Sequence, residues 1–172
     1  MSDKKLIVVG FVALALAIAG CGSTPELTSV PATKRELTVS PAAAASKINA
    51  YRAKKGLAPL VVDPALNRIA QQTADKLAAK DTMATSMHTD QGLMQRLDRA
   101  GYPDLAAAEN LGAGYPTLDW AVKGWQGSKG HNKNLLNKRM THMGIGLKVR
   151  GTGKWQSYWV LILAQKDGVP SS

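Results

Sequence analysis

Trp125–Leu136, WQGSKGHNKNLL, sets a tryptophan, a serine, two glycines and a histidine ahead of an N-x-N-L-L run. The spacing predicts a helix end at Trp125, a glycine-bearing turn over Gly127–Gly130 and a short new helix beyond it. A turn of this kind aims His131 into a cleft. Ser128 is placed to cap the turn, its hydroxyl accepting from a backbone N–H rather than serving as a nucleophile. Two other stretches belong with this one: the isolated His88 upstream, and Ala108–Gly114, AENLGAG, which carries Glu109 and Asn110.

Helices are expected on the N-terminal side. Ser40-Pro41 combines an N-cap residue with proline at the first helical position, and the helix runs to Lys55, where Gly56 can take the left-handed stop. The same punctuation recurs at Asp63-Pro64. There Leu66, Ile69, Ala70, Ala74 and Leu77 follow at helical spacing, so a second amphipathic helix reaches about Lys80. A third starts with Asp90 as cap and runs through Leu93, Met94, Leu97 and Ala100 to Gly101. A fourth runs from Thr117 through Leu118, Ala121 and Val122 to Trp125, whose indole is expected in the core.

Beyond Leu136 the period changes from helix to strand. Met143, Ile145, Leu147 and Val149 alternate with Gly144, Gly146, Lys148 and Arg150, which predicts a half-buried strand. After a turn at Gly151–Lys154, Trp155–Ala164 is apolar on both faces, as in a central strand covered on two sides. Helices followed by such strands give an α+β chain, an α-β-α sandwich around a short antiparallel sheet.

The chain of 172 residues, 45% hydrophobic, suits one domain with a real core over residues 41–166, followed by a tail at 167–172. Its start reads differently. Lys4 and Lys5 precede an apolar run from Leu6 to Ala19, too short for a membrane span of ~20 residues, so residues 1–20 read as an export signal. Ile18, Ala19, Gly20 and Cys21 resemble a bacterial lipoprotein cleavage site, at which Cys21 is acylated and anchors the exported chain to a membrane. Gly22–Ser40, rich in Ser, Thr and Pro, then acts as a tether reaching roughly 25 Å. With one cysteine there is no internal disulfide, and packing alone holds the domain together.

The net charge is +10. The cations are scattered without the aromatic interleaving of single-strand binding surfaces, and export also argues against nucleic acid. Attraction to anionic headgroups or cell-wall polymers is the better functional reading, and a plain solvated basic surface accounts for the charge equally well.

His88, Glu109 and His131 lie far apart in sequence, so no local motif makes them a site. Two imidazoles and a carboxylate suit a metal only where the fold converges them. His142 leads into a strand and reads as structural. The sequence contains no H-E-x-x-H, no G-x-S-x-G and no phosphate loop.

His88, AENLGAGY at Ala108–Tyr115, W-x-x-S-x-G-H-N-x-N-L-L-N from Trp125 and THMGIG from Thr141 together resemble the bacterial branch of the CAP superfamily, the cysteine-rich secretory, antigen-five and pathogenesis-related proteins. The resemblance covers about three quarters of the chain, Pro41–Gln165. It implies the same α-β-α sandwich, with Asn110, Trp125, Ser128 and Gly130 as structural motif residues. It also implies a central cleft in which two histidines and two acids can hold a divalent cation. His88, Glu109 and His131 match three of the four; Gly127 and Ser128 stand where eukaryotic members carry the second glutamate, and Asp90 and Asp119 are the nearest substitutes in sequence. Zinc is the first choice of ion, and the fold does not depend on it. Two functions follow as expectations: an envelope-anchored binding module for a metal, lipid or cell-wall ligand, or a metal-assisted hydrolase with Glu109 as base. The missing carboxylate favours the first.

Overall fold

Side-chain caps start the helices where the sequence places them. In a computed structural model that describes residues 38–166, Ser40 accepts from the Ala43 N–H at 3.3 Å and opens α1, Pro41–Ala53. Asp63 accepts from the Ala65 and Leu66 N–H groups at 2.7 and 3.3 Å and opens α2, Pro64–Lys80. The signal segment, Cys21, the tether as far as Leu37 and the tail from Asp167 lie outside the described residues.

One cap is displaced from its expected place. Thr89, not Asp90, caps α3, Asp90–Arg99, accepting from the Gly92 N–H at 3.0 Å. Asp90 is instead the first helical residue, where its carboxylate faces the positive end of the helix dipole. Thr117 opens α4, Leu118–Gly127, and α5, Lys129–Leu135, follows after a single residue.

Four strands form one sheet in the order β1-β3-β4-β2: β1 is Val61–Val62, β2 Asp104–Ala113, β3 His142–Val149 and β4 Ser157–Lys166. β2/β4 and β3/β4 are antiparallel; the two-residue β1 pairs with β3 in parallel. The central β4 is buried from Ser157 to Ala164. Its Trp159, Leu161 and Leu163 pack with α1, α4 and α5, while Tyr158, Val160, Ile162 and Ala164 pack with α2 and α3. This is the expected α+β sandwich.

β3 is not half-buried, because both of its faces are covered. Met143, Ile145 and Leu147 join the layer of α1 and α4. On the opposite face α2 rests directly on the two glycines: a Cβ at Gly144 would lie 2.2 Å from the Leu66 carbonyl carbon, and one at Gly146 2.4 Å from the Gln71 nitrogen. Glycine is what lets the helix backbone approach the strand this closely.

A buried guanidinium fixes the layer that carries α5. Arg52 is fully buried on α1 and donates to the carbonyls of Ala58, Leu135, Asn137 and Met140. It thereby ties the first helix to the loop leaving α5.

Candidate functional site

The dipeptide Glu109-Asn110 on the edge strand β2 organises the site. Successive strand residues point to opposite faces of a sheet, so one side chain works in each layer. The Glu109 carboxylate, on the α2 and α3 side, accepts from Arg96 Nη1 at 2.8 Å and lies 3.1 Å from His88 Nδ1. Arg96 spends its other donors nearby: Thr73 Oγ1 at 2.7 Å, the Met87 carbonyl at 2.9 Å and the Gly92 carbonyl at 3.1 Å. Each carboxylate oxygen therefore has its own partner, one cationic and one imidazole.

Asn110, fully buried in the other layer, donates to the His131 carbonyl at 3.0 Å. Asn134 on α5 returns the contact, donating to Asn110 Oδ1 at 3.0 Å and to the Glu109 carbonyl at 3.3 Å. The Trp125 indole, fully buried, donates to the Leu111 carbonyl at 3.0 Å, and Tyr51 on α1 donates to Asn132 Oδ1 at 2.8 Å. α5 is thus fastened to β2 on one side and α1 on the other, and His131 is carried between these anchors.

The fold brings His88, Glu109 and His131 to one cleft of about 530 Å3, lined also by Asp90, Gly130 and Asn134. The two imidazole rings are 6.4 Å apart, centroid to centroid, and tilted by 50°. Burial, and then the neighbouring His88, hold His131 below the usual imidazole pKa, so it stays a neutral donor to lower pH.

The other residues singled out in the sequence divide. Of the two substitute acids, Asp90 lines the cleft, whereas Asp119 pairs with Lys47 at 2.6 Å in the layer of α1 and α4. His142 is structural, its Nδ1 2.9 Å from the Thr141 hydroxyl. Ser128 sits at the α5 N-cap position, but its hydroxyl makes no capping bond. Its peptide makes both joints instead: the N–H donates to the Trp125 carbonyl and the C=O accepts from Asn132. Sequence reading missed Arg96 and Thr73. The available signal was a cation inside the apolar stripe Leu93, Leu97, Ala100, where a solvent-facing residue would break the helical period.

Two imidazoles on one tetrahedral ion, each nitrogen at ~2.0–2.1 Å, have centroids roughly 5 Å apart. The observed rings stand farther apart than that, at 6.4 Å. Among the described residues no group of three or more His, Cys, Asp or Glu is gathered closely enough to hold an ion as it stands. With Nδ1 directed at Glu109, His88 offers Nε2 to the cleft, the arrangement by which a carboxylate orients an imidazole ligand.

Residues 45–163 match the sequence profile of the cysteine-rich secretory protein family, CAP. The uncharacterized protein YkwD of Bacillus subtilis is 33% identical over 104 residues, 60% of this chain and 40% of that protein. An extracellular SCP-domain protein of Bacillus anthracis superposes with a TM-score of 0.63 at 25% identity, covering 73% of this chain and 40% of that one. An outer surface protein of Borrelia burgdorferi superposes at 0.62 and 24% identity, covering 76% of this chain and 99% of that one. The chain thus spans well under half the length of the Bacillus proteins it matches.

Proposed function

The chain belongs to the cysteine-rich secretory protein family, and on that premise we propose that it is an exported, envelope-anchored binding module whose cleft presents His88 and His131 to a divalent cation, zinc first. A lipid or cell-wall group would meet the protein at that same cleft. The observation that carries this reading is the double engagement of Glu109 by Arg96 and His88. A carboxylate held on both oxygens orients an imidazole well and is poorly free to take a proton from water, so the geometry favours binding over hydrolysis. A bound cation would supply Lewis acidity and charge at the cleft floor; the residues of the chain supply two imidazole donors and their orientation.

Export and anchoring rest on the signal-like start and Cys21, and the extracellular nature of the Bacillus anthracis relative agrees with export. Palmitate labelling lost in Cys21→Ser supports the anchor; labelling that survives the change removes it.

Calorimetric titration of the purified chain with zinc tests the cleft. One site, lost in the His88→Ala, His131→Ala double variant and retained in Ser128→Ala, is the expected result. Equal binding by the double variant would place any metal elsewhere.

A further inference from the structure

Beside Arg96, residues of α2 and α3 line a second hollow of about 240 Å3. Its lining is basic: Lys76 from α2, Arg96 and Arg99 from α3, with Gln72 and Thr73 between them and no carboxylate. Arg96 is committed to Glu109. Lys76 and Arg99 are exposed, and no hydrogen bond or ion pair is found for either among the described residues. The acids of these helices are directed elsewhere. Asp75 pairs with Lys148 and accepts from Gln71 along the β3 edge, Asp90 lines the histidine cleft, and Asp98 is exposed two positions beyond Arg96, on the opposite side of α3.

Two like charges held across a hollow without a counter-ion repel each other and destabilise the fold slightly. The C-terminal dipole of α3 accounts for Arg99, which lies in its last turn. It does not account for Lys76, a full turn before the last residue of α2, nor for the Gln72 amide and the Arg99 guanidinium that line the hollow with it. A planar guanidinium fork with an ammonium is a donor set that suits tetrahedral oxyanions, and the hollow has room for a phosphate group together with part of an esterified alcohol.

We propose that the hollow between α2 and α3 is a phosphate-group site, with Lys76 and Arg99 as its charged contacts and the Gln72 amide as a further donor. This site is separate from the histidine cleft and does not depend on a metal there. The same chemistry would serve inorganic phosphate or the phosphodiester of an anionic lipid headgroup.

Inorganic phosphate titrated into the full chain in non-ionic detergent should move the amide signals of Gln72, Lys76 and Arg99 in a saturable way. The Lys76→Gln, Arg99→Gln double variant should bind it roughly tenfold more weakly, as expected for two exposed charge contacts. Lys54→Gln, Lys55→Gln removes two exposed charges at the end of α1 and should leave binding unchanged. Flotation with phosphatidylglycerol vesicles, against phosphatidylcholine vesicles, separates the sources. Retention that falls in the α2/α3 variant but not in the α1 variant identifies a headgroup; retention equal in both, with phosphate binding still impaired in the first, identifies the free anion. Phosphate binding and vesicle retention that do not distinguish the two variants would overturn the site.

Discussion

Arg96 Nη1 and Glu109 Oε1 lie 2.8 Å apart, with their side chains only 8% and 3% exposed. The pair joins α3 to the edge strand that carries the site, and it holds one wall of the histidine cleft. Removing Arg96 leaves the buried Glu109 with only the His88 imidazole beside it, and breaking a buried pair in this way costs about 3–5 kcal/mol. Arg96→Met should therefore lower stability by that order in urea unfolding. Arg96→Met combined with Glu109→Leu should be more stable than Arg96→Met alone. Losses that simply add would show that the two groups are not coupled.

Trp125 ties the end of α4 to β2 through its bond to the Leu111 carbonyl, and its ring fills the core beside Ala121, Val122 and Leu135. Trp125→Ala should cost ~3–5 kcal/mol. Because the same segment leads into α5, His131 should lose its fixed position as well. A melting temperature close to that of the parent would contradict this placement.

The glycines of β3 make a sharper test, because the cost comes from a backbone that cannot step aside. Gly144→Ala and Gly146→Ala each push a methyl group into α2, and overpacking of this kind costs typically 1–3 kcal/mol. Gly127→Ala, with nothing within 4 Å of the added carbon, should be near neutral in the same melts. Equal effects at Gly127 and Gly144 would refute the close approach of α2.

What the sequence discloses about this fold is whatever local chemistry controls. Ser40-Pro41 and Asp63-Pro64 are legible because the capping side chain and the proline act within three residues of the helix start. β4 is legible because an apolar run on both faces has few other uses. β2 is not: DLAAAENLGA lacks a period of two and contains four alanines, and it becomes a strand by pairing with β4 over almost its whole length. Gly144 and Gly146 suggest a solvent face until α2 is seen to rest on them. In the site, His88, Glu109 and His131 are conspicuous as residue types, but only the strand explains why the adjacent Glu109 and Asn110 serve opposite faces of the sheet. Arg96 hides because an arginine in a short helix usually faces water.

Asp63 carries the last prediction, since it both caps α2 and closes a polar cluster at the sheet end. Its burial tends to raise the carboxyl pKa, but the Ala65 and Leu66 N–H groups, Lys166 and the Tyr102 hydroxyl all favour the charged form, and the balance lies below the ordinary value. A carboxyl whose folded pKa is depressed stabilises the fold fully above its unfolded value of ~3.9 and loses that contribution as pH falls through the folded value. Asp63→Asn keeps an oxygen for the cap and removes the charge. The variant should be less stable than the parent at pH 6, and the gap should narrow as both are unfolded in urea at successively lower pH, down to about pH 3. A gap that stays constant across that range would mean that Asp63 contributes through shape and hydrogen bonding alone, with no share from its charge.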